Sequence, residues 1–83
     1  MTDMLTLRII SPEKVVFDGE VIQVIVPGTM GEFEILVNHA PIISSLEIGT
    51  ITYKDKMGKE QSLQIQGGFV EVQKNIVSAC VEL

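Results

Sequence analysis

The sequence predicts an all-β fold, a β-sandwich or flattened barrel of about nine or ten short strands. Three observations predict it. Apolar and polar residues alternate with a period of two through much of the chain. Breaks containing Gly, Pro or Asn arrive roughly every 8–12 residues, the spacing of sandwich and barrel strands. No window sustains a 3.6-residue period between helix caps. Short strands in this number bury more surface as two packed layers than as one flat sheet.

The elements follow in order. Leu5-Thr6-Leu7-Arg8-Ile9 places Leu5, Leu7 and Ile9 on one face and Thr6 and Arg8 on the other. Ser11-Pro12 ends this strand, because proline cannot donate to a ladder. Val15-Val16-Phe17 then runs into Asp18-Gly19, a strong turn dipeptide. The β-branched run from Val21 to Val26 stops at Pro27-Gly28, a type II turn signature. After Gly31, the run Phe33 to Val37 closes at Asn38-His39-Ala40-Pro41. Ile42 to Leu46 follows, and Gly49 separates it from Thr50 to Tyr53. Asp55 to Lys59 is the most polar hairpin tip. Leu63 and Ile65, then Phe69, Val70 and Val72, flank Gly67-Gly68, a pair that marks a bulge or a close backbone approach. Asn75 marks the last turn, and Ile76 to Val81 forms the final strand.

The 83 residues form one domain, 1–83. A chain of this length buries roughly 60% of the surface its unfolded form exposes, so the core is thin. Hydrophobic residues make up 46% and charged ones 20%, which excludes a disordered chain. A mean hydropathy of +0.36 is apolar for a free-standing protein and points to surface covered by a partner. Six basic against eleven acidic residues give a net charge of −5. The cations are scattered; only Lys54, Lys56 and Lys59 cluster, and Asp55 and Glu60 dilute them. Without a dense basic face, counterion release cannot drive nucleic-acid binding.

Cys80 is the only cysteine, so no internal disulfide forms, and its apolar neighbours make it a small buried hydrophobe. That suits a reducing compartment. Met1-Thr2-Asp3-Met4 lacks the charged start of a signal peptide, and no apolar run approaches the ~20 residues of a membrane span. The expectation is a soluble, cytoplasmic protein.

The candidate chemistry is sparse. His39 is the only histidine, which makes the usual zinc ligand sets hard to build. A hydrolytic triad could be drawn from Ser44 or Ser45, His39 and Asp18, but no nucleophile-elbow pattern accompanies it. Asn38 and His39 instead suit backbone hydrogen bonding in a tight turn before Pro41. Gly28-Thr29-Met30-Gly31 lacks the lysine and hydroxyl pair of a phosphate loop, and Gly58-Lys59 is followed by glutamate. The acidic spacing does not match a calcium loop, and Glu32 and Glu34 alternate on a solvated strand face. No catalytic residue, cofactor or metal is assigned. A sandwich binding a small ligand or carbohydrate is the alternative, disfavoured by the absence of tryptophan and the single tyrosine. Two features point to docking: Met30 at the tip of a turn, and Ile42-Ile43, which offers apolar side chains on both faces of one strand.

Five ordered motifs resemble the epsilon subunit of bacterial F-type ATP synthase. They are Ile10-Ser11-Pro12-Glu13, Phe17-Asp18-Gly19-Glu20, Pro27-Gly28-Thr29-Met30-Gly31-Glu32, Asn38-His39-Ala40-Pro41-Ile42-Ile43 and Gly67-Gly68-Phe69-Val70-Glu71-Val72. The resemblance implies a ten-stranded sandwich at the foot of the rotating central stalk. It implies a non-catalytic subunit that binds the gamma subunit and rests on the c ring, helping to couple proton flow to ATP synthesis. It places Met30 and Glu32 toward the c ring, and Ser11, His39, Ile42 and Ser44 toward gamma. It implies a location on the cytoplasmic face of the bacterial inner membrane, as a peripheral part of the synthase. Family members usually continue into two C-terminal helices that can restrain ATP hydrolysis and in some cases bind ATP; no residues here correspond to them.

Overall fold

The structure is a computed structural model and describes residues 3–83. Nine strands form among these residues, one fewer than the resemblance implies, and no helix. They are β1 (Leu5–Ile10), β2 (Val15–Val21), β3 (Gln23–Gly28), β4 (Gly31–Leu36), β5 (Ile42–Leu46), β6 (Gly49–Lys54), β7 (Glu60–Ile65), β8 (Gly67–Gln73) and β9 (Ile76–Glu82). One layer runs β2-β1-β9-β8-β5, and the other runs β4-β3-β6-β7. The layers join where Gly28 of β3 pairs with Leu46 of β5, so the whole is a single sheet curled onto itself. All pairings are antiparallel except β1 with β9, which run parallel with Thr6 opposite Ile76 and Ile10 opposite Cys80.

Alternation turns one face of each strand inward. Leu5, Leu7, Ile9, Val21, Leu46, Val70, Val72, Val77, Ala79 and Val81 come from the first layer. Val24, Val26, Ile35, Ile51, Tyr53 and Ile65 meet them from the second. Each fully buried Val, Leu or Ile contributes about 1.5–3 kcal/mol by leaving water. No polar or charged residue is buried among the described residues, so the core requires no internal hydrogen-bond network.

The strand boundaries differ from the sequence expectation in three places. Asp18-Gly19 is not a turn: β2 continues through it, with Asp18 opposite Arg8 and Gly19 opposite Leu7. The Phe17 ring lies over Gly19, where an added Cβ would sit 3.1 Å from Cζ, and so fills the space a side chain would take. The actual turn follows β1, where Ser11 N–H donates to Lys14 C=O at 2.9 Å. The run from Val21 to Val26 is not one strand, because the chain passes between layers at Ile22, whose N–H donates to Lys54 C=O at 2.8 Å.

Pro27-Gly28 also stays within a strand, paired to Glu32 and Gly31 of β4. The Pro27 carbonyl accepts from Glu47 N–H at 2.9 Å, on the side away from β4. A residue's N and C=O point to the same side of a strand, so the missing proline N–H costs the β3–β4 ladder nothing. Gly67-Gly68 is the close backbone approach that was expected. Gly68 has φ +144°, and a Cβ there would overlap the Cys80 carbonyl oxygen and sit 2.9 Å from Val81 Cα.

Candidate docking surfaces

Registers define the two ends of the sandwich. Ile10, Cys80, Phe69 and Ser45 are neighbours across the first layer at one end, where β3 also meets β5. Thr6, Ile76 and Gln73 are neighbours at the other, beside the start of β5 at Ile42.

The Thr29-Met30 turn lies at the first end. It closes a two-residue hairpin between Gly28 and Gly31, and Gly31 takes φ +128°, which favours glycine. Met30 is 98% exposed, and Glu32 also points to solvent. The turn is nevertheless anchored. Thr29 N–H donates to Ser45 C=O at 3.0 Å, and the Thr29 and Ser45 hydroxyls lie 2.9 Å apart. Gly28 and Gly49 leave room for the Phe33 and Pro27 rings, since a Cβ at either would come within 3.0 Å of them.

The outer face of the first layer is the second surface. Alternation should make it polar, yet one row across it reads Ile10, Cys80, Phe69, Ser45, and the next reads Arg8, Ser78, Glu71, Ile43. Ile43 is 73% exposed and Phe69 51%. Ile10, Ser11, Pro12, Phe69, Cys80 and Val81 line a cleft of about 370 Å³ at the turn end. Pro41, Ile42, Ile43 and Gln73 border a second, of about 320 Å³, at the other. Ile10 and Phe69 were not singled out from the sequence, and Cys80, expected to be a small buried hydrophobe, is instead half-buried on this outer face, out of phase with Ala79 and Val81. Their signal was an apolar residue at a strand position out of phase with the core.

The six residues singled out from the sequence fall into groups. Met30 and Glu32 share the turn, and Ser11 lies at the same end, its Oγ accepting from Lys14 N–H at 3.3 Å. His39 and Ile42 lie at the opposite end, and Ser44 lies on β5 between the two. Ile42 and Ser44 alternate with Ile43 and Ser45, so they face the inner side, where Ile42 packs against the core. Ser44 Oγ–H donates to Ser45 C=O at 3.0 Å.

His39 is half-buried, with Nδ1 2.6 Å from Ala40 C=O and its ring tilted toward Phe33 at 6.5 Å. Its segment is pinned by Asn38, in a left-handed conformation with φ +66°. Asn38 N–H donates to Asn75 Oδ1 at 2.6 Å, and Asn75 Nδ2–H donates to Asn38 Oδ1 at 3.1 Å. The triad drawn from His39, Ser44 or Ser45 and Asp18 does not assemble. Asp18 faces Arg8 at 3.9 Å on β2, four strand spacings or roughly 19 Å from β5. The arrangement sets exposed apolar groups on the outer face and at the turn, while His39, Ser44 or Ser45 and Asp18 do not converge.

Comparison with known proteins shows the family. Residues 4–82 match the model of the ATP synthase delta/epsilon chain β-sandwich domain. An ATP synthase epsilon chain of Synechocystis is 46% identical over 78 residues, covering 93% of this chain and 56% of the relative. One from Desulfitobacterium hafniense is 49% identical over 78 residues, covering 94% and 58%. The chain thus spans little more than half the length of these curated relatives. In cryo-EM structures, a chain of the Euglena gracilis mitochondrial ATP synthase, in an assembly of OSCP, F1 and c-ring, aligns with a TM-score of 0.92 at 19% identity. That alignment covers 98% of this chain and 52% of the other. A chain of the Tetrahymena thermophila mitochondrial ATP synthase central stalk and c-ring aligns with a TM-score of 0.77 at 16% identity, covering 95% and 63%. At such identities the likeness is one of fold. The match over residues 4–82 settles the family: the chain belongs to the delta/epsilon chain β-sandwich family of ATP synthase.

Proposed function

We propose that this domain is a non-catalytic element of the central stalk of a proton-translocating F-type ATP synthase. It docks the gamma subunit on one side and the c ring on the other, and so helps couple proton flow to ATP synthesis. It sits at the cytoplasmic face of the bacterial inner membrane as a peripheral part of the complex. The observation that carries this is the pair of exposed apolar surfaces, the Met30 tip and the outer face around Phe69 and Ile43. Patches of this kind on a small domain mark interaction sites.

Met30 and Glu32 are the ring contacts. Methionine adapts to irregular pockets, and the carboxylate of Glu32 accepts hydrogen bonds from a polar loop. Charge supports the assignment. Glu13, Glu32, Glu47 and Glu82 cluster at the Met30 end against Lys14 alone, so the partner there must bring cations or N–H donors. Ser11, His39, Ile42 and Ser44 belong to the gamma side, with Ile43 and Phe69 as the exposed anchors between their two ends. The catalytic centres lie on other subunits, and no cofactor is required here.

The test is association of this chain with purified gamma subunit, followed by light scattering at micromolar concentration. A stable complex is expected, weakened at least tenfold by Phe69→Asp or Ile43→Asp, which corresponds to about 1.4 kcal/mol. Ile42→Asp or Ser44→Arg should weaken it as well. Absence of a complex with the unaltered chain would overturn the assignment.

A further inference from the structure

An exposed methionine on a two-residue hairpin is poorly placed to bear force, because such tips open at low free-energy cost. Here the tip has a second attachment, outside its own hairpin. Thr29 N–H donates to Ser45 C=O at 3.0 Å, the Thr29 and Ser45 hydroxyls are 2.9 Å apart, and Glu47 N–H donates to Pro27 C=O at 2.9 Å. Ser45 C=O also accepts from Ser44 Oγ–H at 3.0 Å, which draws a second β5 residue into the same junction. A Cβ at Gly28 would meet the Gly31 carbonyl and the Phe33 ring, and one at Gly49 would meet Pro27, so both glycines allow close packing around the junction. The junction therefore joins the Met30 turn directly to β5, the strand that carries Ile42, Ile43 and Ser44.

We propose that Thr29 and Ser45 are a positioning pair that locks the Met30 turn to β5, so that the ring-facing turn and the gamma-facing strand move as one body. This rests on the docking roles proposed above and adds two residues to them. Neither residue need touch a partner. Their hydroxyl pair holds the tip at a fixed angle to the strand, so that force at Met30 reaches β5 instead of bending the hairpin.

Three variants of this chain test the lock: Thr29→Val, isosteric without the hydroxyl; Thr29→Ser, which keeps it; and Ser45→Ala. The first readout is amide hydrogen exchange at Thr29 in the free chain. The second is affinity for purified c ring and, separately, for purified gamma. Thr29→Val and Ser45→Ala should each speed exchange at Thr29 by about three- to tenfold, the range of one lost hydrogen bond. Each should weaken ring binding several-fold, and Thr29→Val, which lies outside the gamma-facing row, should leave gamma binding unchanged. Thr29→Ser should restore both properties, and the Thr29→Val/Ser45→Ala pair should cost no more than either change alone.

Unaltered exchange in Thr29→Val, a Thr29→Ser variant as impaired as Thr29→Val, or additive losses in the double variant would each overturn the lock. If the unaltered chain bound gamma but not the ring, the ring-docking role and the lock would fall together. Undiminished ring binding by Thr29→Val would remove the lock and leave that role standing.

Discussion

Replacing Gly68 by alanine probes how closely β8 and β9 approach. Two costs arise. Gly68 sits at φ +144°, a conformation that L residues rarely adopt, and holding alanine there costs about 1–3 kcal/mol. The new Cβ would also overlap the Cys80 carbonyl oxygen and lie 2.9 Å from Val81 Cα. Both are backbone atoms, so relief requires the two strands to separate, adding about 1–3 kcal/mol as in other overpacked sites. The total is about 2–6 kcal/mol. A chain of 83 residues at roughly 0.05–0.15 kcal/mol per residue has about 4–12 kcal/mol in all.

Gly31→Ala is the internal control, because its φ of +128° is also unfavourable while nothing lies within 4 Å of its Cβ position. It should bear the conformational cost alone. Urea denaturation followed by far-ultraviolet circular dichroism would give both values. Thermal melts should show Gly68→Ala lower by about 8 °C or more, at roughly 4–8 °C per kcal/mol. If Gly68→Ala were as stable as Gly31→Ala to within about 1 kcal/mol, the close approach would not carry the energetic weight assigned to it.

Phe69→Asp and Ile43→Asp, both on the solvent face, should change folding stability by no more than about 0.5 kcal/mol while weakening gamma binding; parallel urea melts and binding isotherms separate the two effects. Burial raises the Tyr53 pKa above its ordinary 10.0. The unfolded chain therefore loses that proton first as pH rises, so the stability is full below pH 10 and falls above it. The decline in urea midpoint between pH 9 and pH 11 should be shallower in Tyr53→Phe, and an equal decline would refute this. Asn75→Ala removes the acceptor for Asn38 N–H and the donor to Asn38 Oδ1. It should cost about 1–2 kcal/mol and speed amide exchange at Asn38; unchanged exchange there would show that the asparagine pair does not pin the His39 segment.

Much of the architecture was legible because the core is dry and the strands alternate. Leu5-Thr6-Leu7-Arg8-Ile9 reads as a half-buried strand, and its burial follows that pattern residue by residue. The errors occurred where a local signal lost to a tertiary one. Asp18-Gly19 is a turn dipeptide, but the Phe17 ring covers the glycine and Arg8 faces the aspartate, so the ladder carries through. Val21 to Val26 is uniformly β-branched, and propensity does not register the bend at Ile22 where the chain changes layer. Pro27 was read as a strand end because proline removes a donor; which side loses it depends on strand order, which local sequence does not encode.

The candidate surfaces divided in the same way. Met30 was visible as an apolar residue at a turn. The row of Ile10, Cys80 and Phe69 was not, because β1 is distant in sequence from the β8–β9 hairpin and the row becomes a surface only once β9 lies between β1 and β8.

That insertion of β9 bears on how the molecule is made. Thr6 and Ile76 are adjacent in space, yet most of the chain separates them in sequence. Until β9 is in place, the β1–β2 hairpin has no neighbour linking it to β8 and β5. On a ribosome the first layer therefore cannot close before β9 emerges, and until then Leu5, Leu7 and Ile9 lack their in-layer neighbours Val77, Ala79 and Val81. Closure between distant segments is slow because chain entropy is lost before the contacts form. The nascent chain should accordingly be a substrate for chaperones that shield apolar β-segments until synthesis has passed residue 82.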